Sequence, residues 1–109
     1  MLPKASRLSK KRDFDNVFSW GKSLKSDFLV AKLVENNLPA SRFGFVVSKK
    51  ISSKATVRNK VKRRLRKIVE DAFVEVEKPV DVVFVTLQGI QKMEFTGLEE
   101  SAKKILKKI

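Results

Sequence analysis

Apolar positions recur at changing periods along the chain, and each change of period marks an element. From Ser9, a residue type suited to an N-cap, to Trp20 the pattern is helical. Phe14, Val17 and Phe18 share one face there at i, i+3 and i+4 spacing. Gly21 follows as the stop. "DFLVAKLV" (27–34) reads as a strand, "ENNLPAS" as turn chemistry, and "RFGFVVSK" (42–49) as a second strand. Their nearness predicts an antiparallel pair. After the basic loop "KKISSKAT", Val57, Val61, Leu65, Ile68, Val69 and Ala72 form the inward stripe of a long helix. Pro79 ends a linker before "VDVVFVTL" (80–87), an almost continuous apolar run that predicts a strand buried on both faces. The closing segment is an amphipathic helix with Leu98, Ala102, Ile105, Leu106 and Ile109 inward. Residues 1–8 read as an irregular arm. The order of elements predicts an α+β sandwich, helices packed on a small sheet, in a single domain spanning 1–109. Periodicity leaves the strand order open.

Composition removes several function classes. The chain has no cysteine and no histidine, so disulfides, thiolate metal sites and the commonest general base are absent. Its 12 acidic residues show no metal-ligand spacing, and no acid–base constellation stands out that could activate water. No apolar run approaches a membrane span and no signal-peptide core opens the chain, which predicts a soluble, cytoplasmic protein that engages no membrane.

Charge changes the picture most. The net charge is +13, yet it is concentrated: between Asn36 and Val69 there are 11 Lys or Arg and no Asp or Glu. The remaining 14 basic residues face 12 acidic ones, so the excess is a local device. Arg58, Lys60, Lys62, Arg63, Arg64, Arg66 and Lys67 fall on the predicted helix, with Arg58, Lys62 and Arg66 along one flank and Asn59 and Arg63 beside them. A charge run is usually a solvated face. Here like charges at i, i+3 and i+4 repel, and a polyanion is what would offset that repulsion. Arg grips phosphates bidentately and Asn adds a neutral donor and acceptor, so the pattern points to nucleic acid. Phe14 and Phe18 remain ambiguous: amphipathicity reads them as core, whereas at a groove they would stack bases.

"FVVSKKISSKAT" followed by "RNKVKRRLRKI" closely resembles the signature of the bacterial ribonuclease P protein subunit. "SRLSKKRDFDNVFSWG" is similar to that family's N-terminal stretch. The resemblance implies an αβββαβα fold like domain 2 of ribosomal protein S5. Its four-stranded sheet would include a short piece near Lys22–Lys25 and a left-handed βαβ crossover through the basic helix. It implies an RNA catalyst that binds Mg²⁺ and hydrolyses one phosphodiester to release the 5′ leader of precursor tRNA. The protein would supply no catalytic group, hold no metal by itself and take no small-molecule substrate. Lys49, Lys50, Arg58, Asn59, Lys60, Lys62, Arg63 and Arg66 would bind the catalytic RNA. Phe14, Phe18, Leu29 and Ala31 would line the leader cleft, Ala31 standing where many members carry an aromatic. Lys60 replaces the commoner second Arg of the helix signature. The competing expectations are a structural ribosomal RNA-binding protein and, more remotely, a membrane-surface or DNA-coating protein.

Overall fold

The computed structural model describes residues 3–109; the first two residues of the expected arm lie outside it. Its elements are α1 (Lys11–Trp20), β1 (Lys22–Ser26), β2 (Leu29–Glu35), β3 (Arg42–Val46), α2 (Ala55–Ala72), β4 (Val80–Thr86) and α3 (Phe95–Leu106). This is the αβββαβα order. The four strands form one mixed sheet in the order β1-β2-β4-β3.

The strand predicted over 27–34 begins later. Asp27, at φ 53°, turns the chain between β1 and β2, and the two strands pair as an antiparallel hairpin. The strand predicted over 42–49 stops at Val46. The expected antiparallel pairing of these two strands does not occur, because β4 lies between them, antiparallel to β2 and parallel to β3. The reason is hydrophobic. β4 has apolar side chains of both parities, and Val82, Val83 and Phe84 are fully buried, so it gains most from the centre of a sheet covered on both faces. A parallel β3–β4 pair needs a crossover, and α2 supplies it.

Strand alternation divides the sheet into two faces. On one, Leu24, Ala31, Phe84 and Phe45 form a row across all four strands, and α2 and α3 cover it. This is the main core, with Val61, Leu65, Ile68 and Val69 from α2 and Leu98, Ala102 and Ile105 from α3. Val57 and Ala72, at the ends of the predicted α2 stripe, are only half-buried. The opposite face carries three rows: Val34–Asp81–Arg42, then Ser23–Lys32–Val83–Gly44, then Lys25–Val30–Val85–Val46. Only α1 and the arm cover this face, around a small cluster of Leu8, Val17 and Val83.

Helix α1 starts at Lys11 rather than Ser9, and no side chain caps it. The arm is attached to the sheet: Arg7 bridges Phe43, and the buried Leu8 donates its N–H to the Phe43 carbonyl at 2.8 Å. Gly21 ends α1 in extended backbone, not in the left-handed conformation of a usual glycine stop. A Cβ there would collide with the carbonyl oxygen of Val17 and press on Leu33, so close backbone approach is what requires glycine. Gly44 serves a different purpose. A Cβ on it would lie 2.6 Å from two ring atoms of Phe14, so its bare backbone is the seat of that ring. Gly44→Ala is expected to cost about 1–3 kcal/mol by displacing the ring, measured by denaturant titration.

Candidate nucleic-acid interface

Helix α2 turns its basic residues to two different sides. At about 3.6 residues per turn, Thr56, Asn59, Lys62, Arg63 and Arg66 fall on one flank, where they line a shallow groove. Arg64 falls on the other, and Lys60 and Lys67 do not line the groove. Two aromatic contacts mark these flanks: Arg66 sits over the Phe45 ring at 5.8 Å, and Arg64 over the Phe95 ring of α3 at 5.9 Å. Phe45 in turn stacks on Phe84, with ring centroids 5.8 Å apart, so Arg66 rests on an aromatic pair anchored in the core. The groove flank therefore overhangs β3, an outer strand of the sheet. Packing the apolar stripe against the sheet leaves these cations where solvent or a phosphate chain can reach them.

The predicted RNA-binding residues separate accordingly. Asn59, Lys62, Arg63 and Arg66 are brought together. Lys60 is exposed but does not line the groove, although Thr56 and Arg63, which do, are its neighbours on the helix surface. Arg58 is half-buried, and its Nη1 donates to the Ser52 carbonyl at 2.8 Å, closing the loop that precedes α2. Lys49 and Lys50 are exposed on that loop, between the buried side chains of Val47 and Ile51. These two apolar anchors tie the loop to the core and present the lysines beside the end of β3.

The leader-cleft residues need correction. Leu29 and Ala31 are fully buried on the face covered by α2 and α3, so neither can touch a bound strand. Ala31 is small where it stands opposite Phe84 and Leu24 in the crowded central row. The face of β2 turned toward α1 carries Val30, Lys32 and Val34. The two sets differ by one residue, and in a strand one residue reverses the face. Lys32 itself was the available signal: a lysine inside "LVAKLV" marks the parity with access to water, since an unpaired buried ammonium is costly.

Helix α1 covers only part of its face of the sheet. It is held near the first two rows, with Asp13 paired to Arg42, Phe14 on Gly44, and Trp20 grouped with Leu33, Val34 and Val80. Val30, Val46 and Val85 in the third row remain half-covered. Phe14 and Phe18 lie on one flank of α1, with Asp13 and Trp20 on the other, so the two rings border the open rows. Phe14 is half-buried and Phe18 is 41% exposed. Phe14, Phe18 and the Lys25–Val30–Val85–Val46 row thus share the α1 face of the sheet, with Lys32 in the row beside it. Val46 is also the last residue of β3, after which the chain enters the Lys49–Lys50 loop. On the opposite face its neighbour Phe45 carries Arg66 of the basic groove.

A second, more apolar groove, lined by Trp20, Leu33, Val76 and Ile109, carries Glu35 and Glu77 as well as Lys22 and Lys78. It does not have the one-sided charge a polyanion would seek. Beside it, Asp81 is 3% exposed and takes a fork of hydrogen bonds from Arg42. The Asp81 hydrogen bond, opposed by burial and reinforced by the charges of Asp81 and Asp13, raises the Arg42 pKa. Among the described residues no acidic side chains group in threes to hold a metal ion, and no helix is long and apolar enough to cross a membrane.

Comparison with known proteins gives a consistent family. The Ribonuclease P family model matches residues 2–109. The ribonuclease P protein component of Syntrophomonas wolfei is 43% identical over 99% of this chain and 90% of its own length. That of Caldanaerobacter subterraneus is 39% identical over 99% of this chain and 92% of its own. Among solved structures, the RNase P protein of Thermotoga maritima superposes with a TM-score of 0.83 at 34% identity, covering 94% of this chain and 99% of that one. The RNase P protein of Staphylococcus aureus superposes with a TM-score of 0.84 at 27% identity, covering 95% and 94%.

Proposed function

The chain belongs to the ribonuclease P protein family, and from that premise we propose how it works: as an RNA-binding subunit that carries no catalytic side chain of its own. In this reading the α2 flank of Asn59, Lys62, Arg63 and Arg66, with Lys49 and Lys50, binds the catalytic RNA. The cleft bordered by Phe14 and Phe18, floored by Val30, Val46 and Val85, takes the single-stranded 5′ leader of precursor tRNA. Lys32 and Lys25 meet leader phosphates. What supports the proposal is that Val46, on the α1 face, ends β3 beside Phe45, which carries Arg66 on the other face. A strand lying in the cleft leaves it beside the cations that would grip the RNA catalyst.

The two surfaces call for different chemistry. Phosphates need charge with little base discrimination, which Arg and Lys on a rigid helix supply. An unpaired leader offers ring faces, which Phe18 can stack whatever the base. In this reading the reaction's Mg²⁺ is held by the RNA. The protein's own part is to bind, to orient and to neutralise.

The test is reconstitution. Protein alone is expected to leave precursor tRNA uncut, whereas protein added to a bacterial ribonuclease P RNA at low Mg²⁺ restores leader removal. Its cations offset phosphate repulsion that otherwise demands more metal. Correct cleavage by rigorously RNA-free protein would overturn the proposal.

A further inference from the structure

We propose that Arg42 is a positioning residue for the leader cleft, tying α1 to the sheet through Asp13 and Asp81 and so setting the stance of the Phe14–Phe18 wall. The proposal rests on the cleft reading above and adds a device to it. Helix α1 has 10 residues, no side-chain cap and a single buried side chain, Val17. Phe14 on Gly44 secures the ring side of the helix, so rolling about the Val17 contact is set by whatever holds the other side. A roll in one direction would drop Phe18 into the open rows of the sheet; a roll in the other would lift it away.

The contact that opposes rolling lies across the helix from the two rings. Arg42 Nη1 reaches Asp13 Oδ2 at 3.3 Å, and Asp13 and Phe14 are neighbours on opposite sides of the Val17 contact. Arg42 is itself immobilised. Its Nε and Nη2 donate to the two oxygens of Asp81 at 2.8 and 2.6 Å. Asp81 Oδ1 also accepts from Asn36 Nδ2 at 2.9 Å, so the carboxylate under the fork is fixed from two directions. A planar guanidinium can bind one carboxylate through two nitrogens and still offer a third to α1; an ammonium cannot keep that geometry. The Asp13 side chain is 20% exposed and that of Arg42 21%, which shields the pair from much of the solvent.

The experiment uses holoenzyme assembled with a bacterial ribonuclease P RNA. It compares binding of precursor tRNA bearing a leader of several nucleotides with binding of mature tRNA. For Asp13→Ala the precursor-to-mature affinity ratio is expected to fall by about fivefold or more, since a displaced aromatic wall stacks poorly. Loss of the Asp13 carboxylate beside the cleft would by charge alone favour the leader-bearing RNA, so a fall in the ratio cannot come from charge. The double variant Asp13→Ala/Phe18→Ala is expected to fall little below Phe18→Ala alone, because both act through one ring. If folded Asp13→Ala keeps the wild-type ratio while Phe18→Ala loses it, the clamp is overturned and the cleft stands. If Phe18→Ala also keeps the ratio, the cleft reading fails and the clamp with it. Should Asp13→Ala not fold, Arg42→Lys retains the charge without the fork; an unchanged ratio there overturns the proposal equally.

Discussion

Alanine at Lys62, Arg63 and Arg66 together is expected to weaken binding to ribonuclease P RNA by about a hundredfold or more at moderate salt, and to lower the salt slope by about three units. The three side chains share the groove flank of α2 above β3. The control removes the same formal charge elsewhere: Lys60→Ala, Lys67→Ala and Lys107→Ala. Lys60 and Lys67 are on the same helix but do not line the groove, and Lys107 is exposed beyond the end of α3. Lys67 already faces Asp71 at 3.3 Å. If RNA reads this surface, the control loses far less affinity than the groove variant. Equal losses would mean that only total charge matters. Loss of the Arg66–Phe45 contact should cost the fold about 0.5–1 kcal/mol, so both variants remain folded and a melting curve verifies it.

Phe18→Ala is expected to cut the holoenzyme's preference for precursor over mature tRNA by about 1–3 kcal/mol, while the isolated protein loses only about 1–2 kcal/mol of stability. Phe14→Ala should reverse that balance. Its half-buried ring sits on Gly44 beside the Leu8, Val17 and Val83 cluster, so truncation removes packing worth about 2–4 kcal/mol. In a protein of this size each kcal/mol shifts the melting temperature by about 4–8 °C, which makes the two effects separable. A Phe18→Ala protein that melts far earlier and binds both RNAs equally less well would identify Phe18 as core. Opposite outcomes for two phenylalanines four residues apart follow from their rotation on α1, since only Phe14 lies over the sheet's bare glycine.

The misplaced face of β2 shows where local pattern ran out. "DFLVAKLV" announces an extended apolar segment, but its face depends on where the turn ends, and Asp27 and Phe28 belong to the turn. The early start does not change parity; the run carries apolar residues of both parities, so it offers no clean alternation to choose the exposed side. Lys32 was the one residue that settled it. The Asp13–Arg42–Asp81 clamp was invisible for a different reason. Its members are 29 and 39 residues apart, and no periodicity links them.

By itself the sequence determined what depends on near neighbours and on chemical inventory. It specified the helical stripes of α2 and α3, the doubly buried β4 and the clustering of cations on α2, because each is written in spacing or residue type. The "RNKVKRRLRKI" motif also carried the family. Tertiary structure alone decided the placement of β4 between β2 and β3, the parting of Lys60 from the groove, and the burial of Leu29 and Ala31. These are outcomes of competition among long-range contacts: the most apolar strand takes the centre, the helices cover whichever face buries more, and the remaining residues are left at the surface.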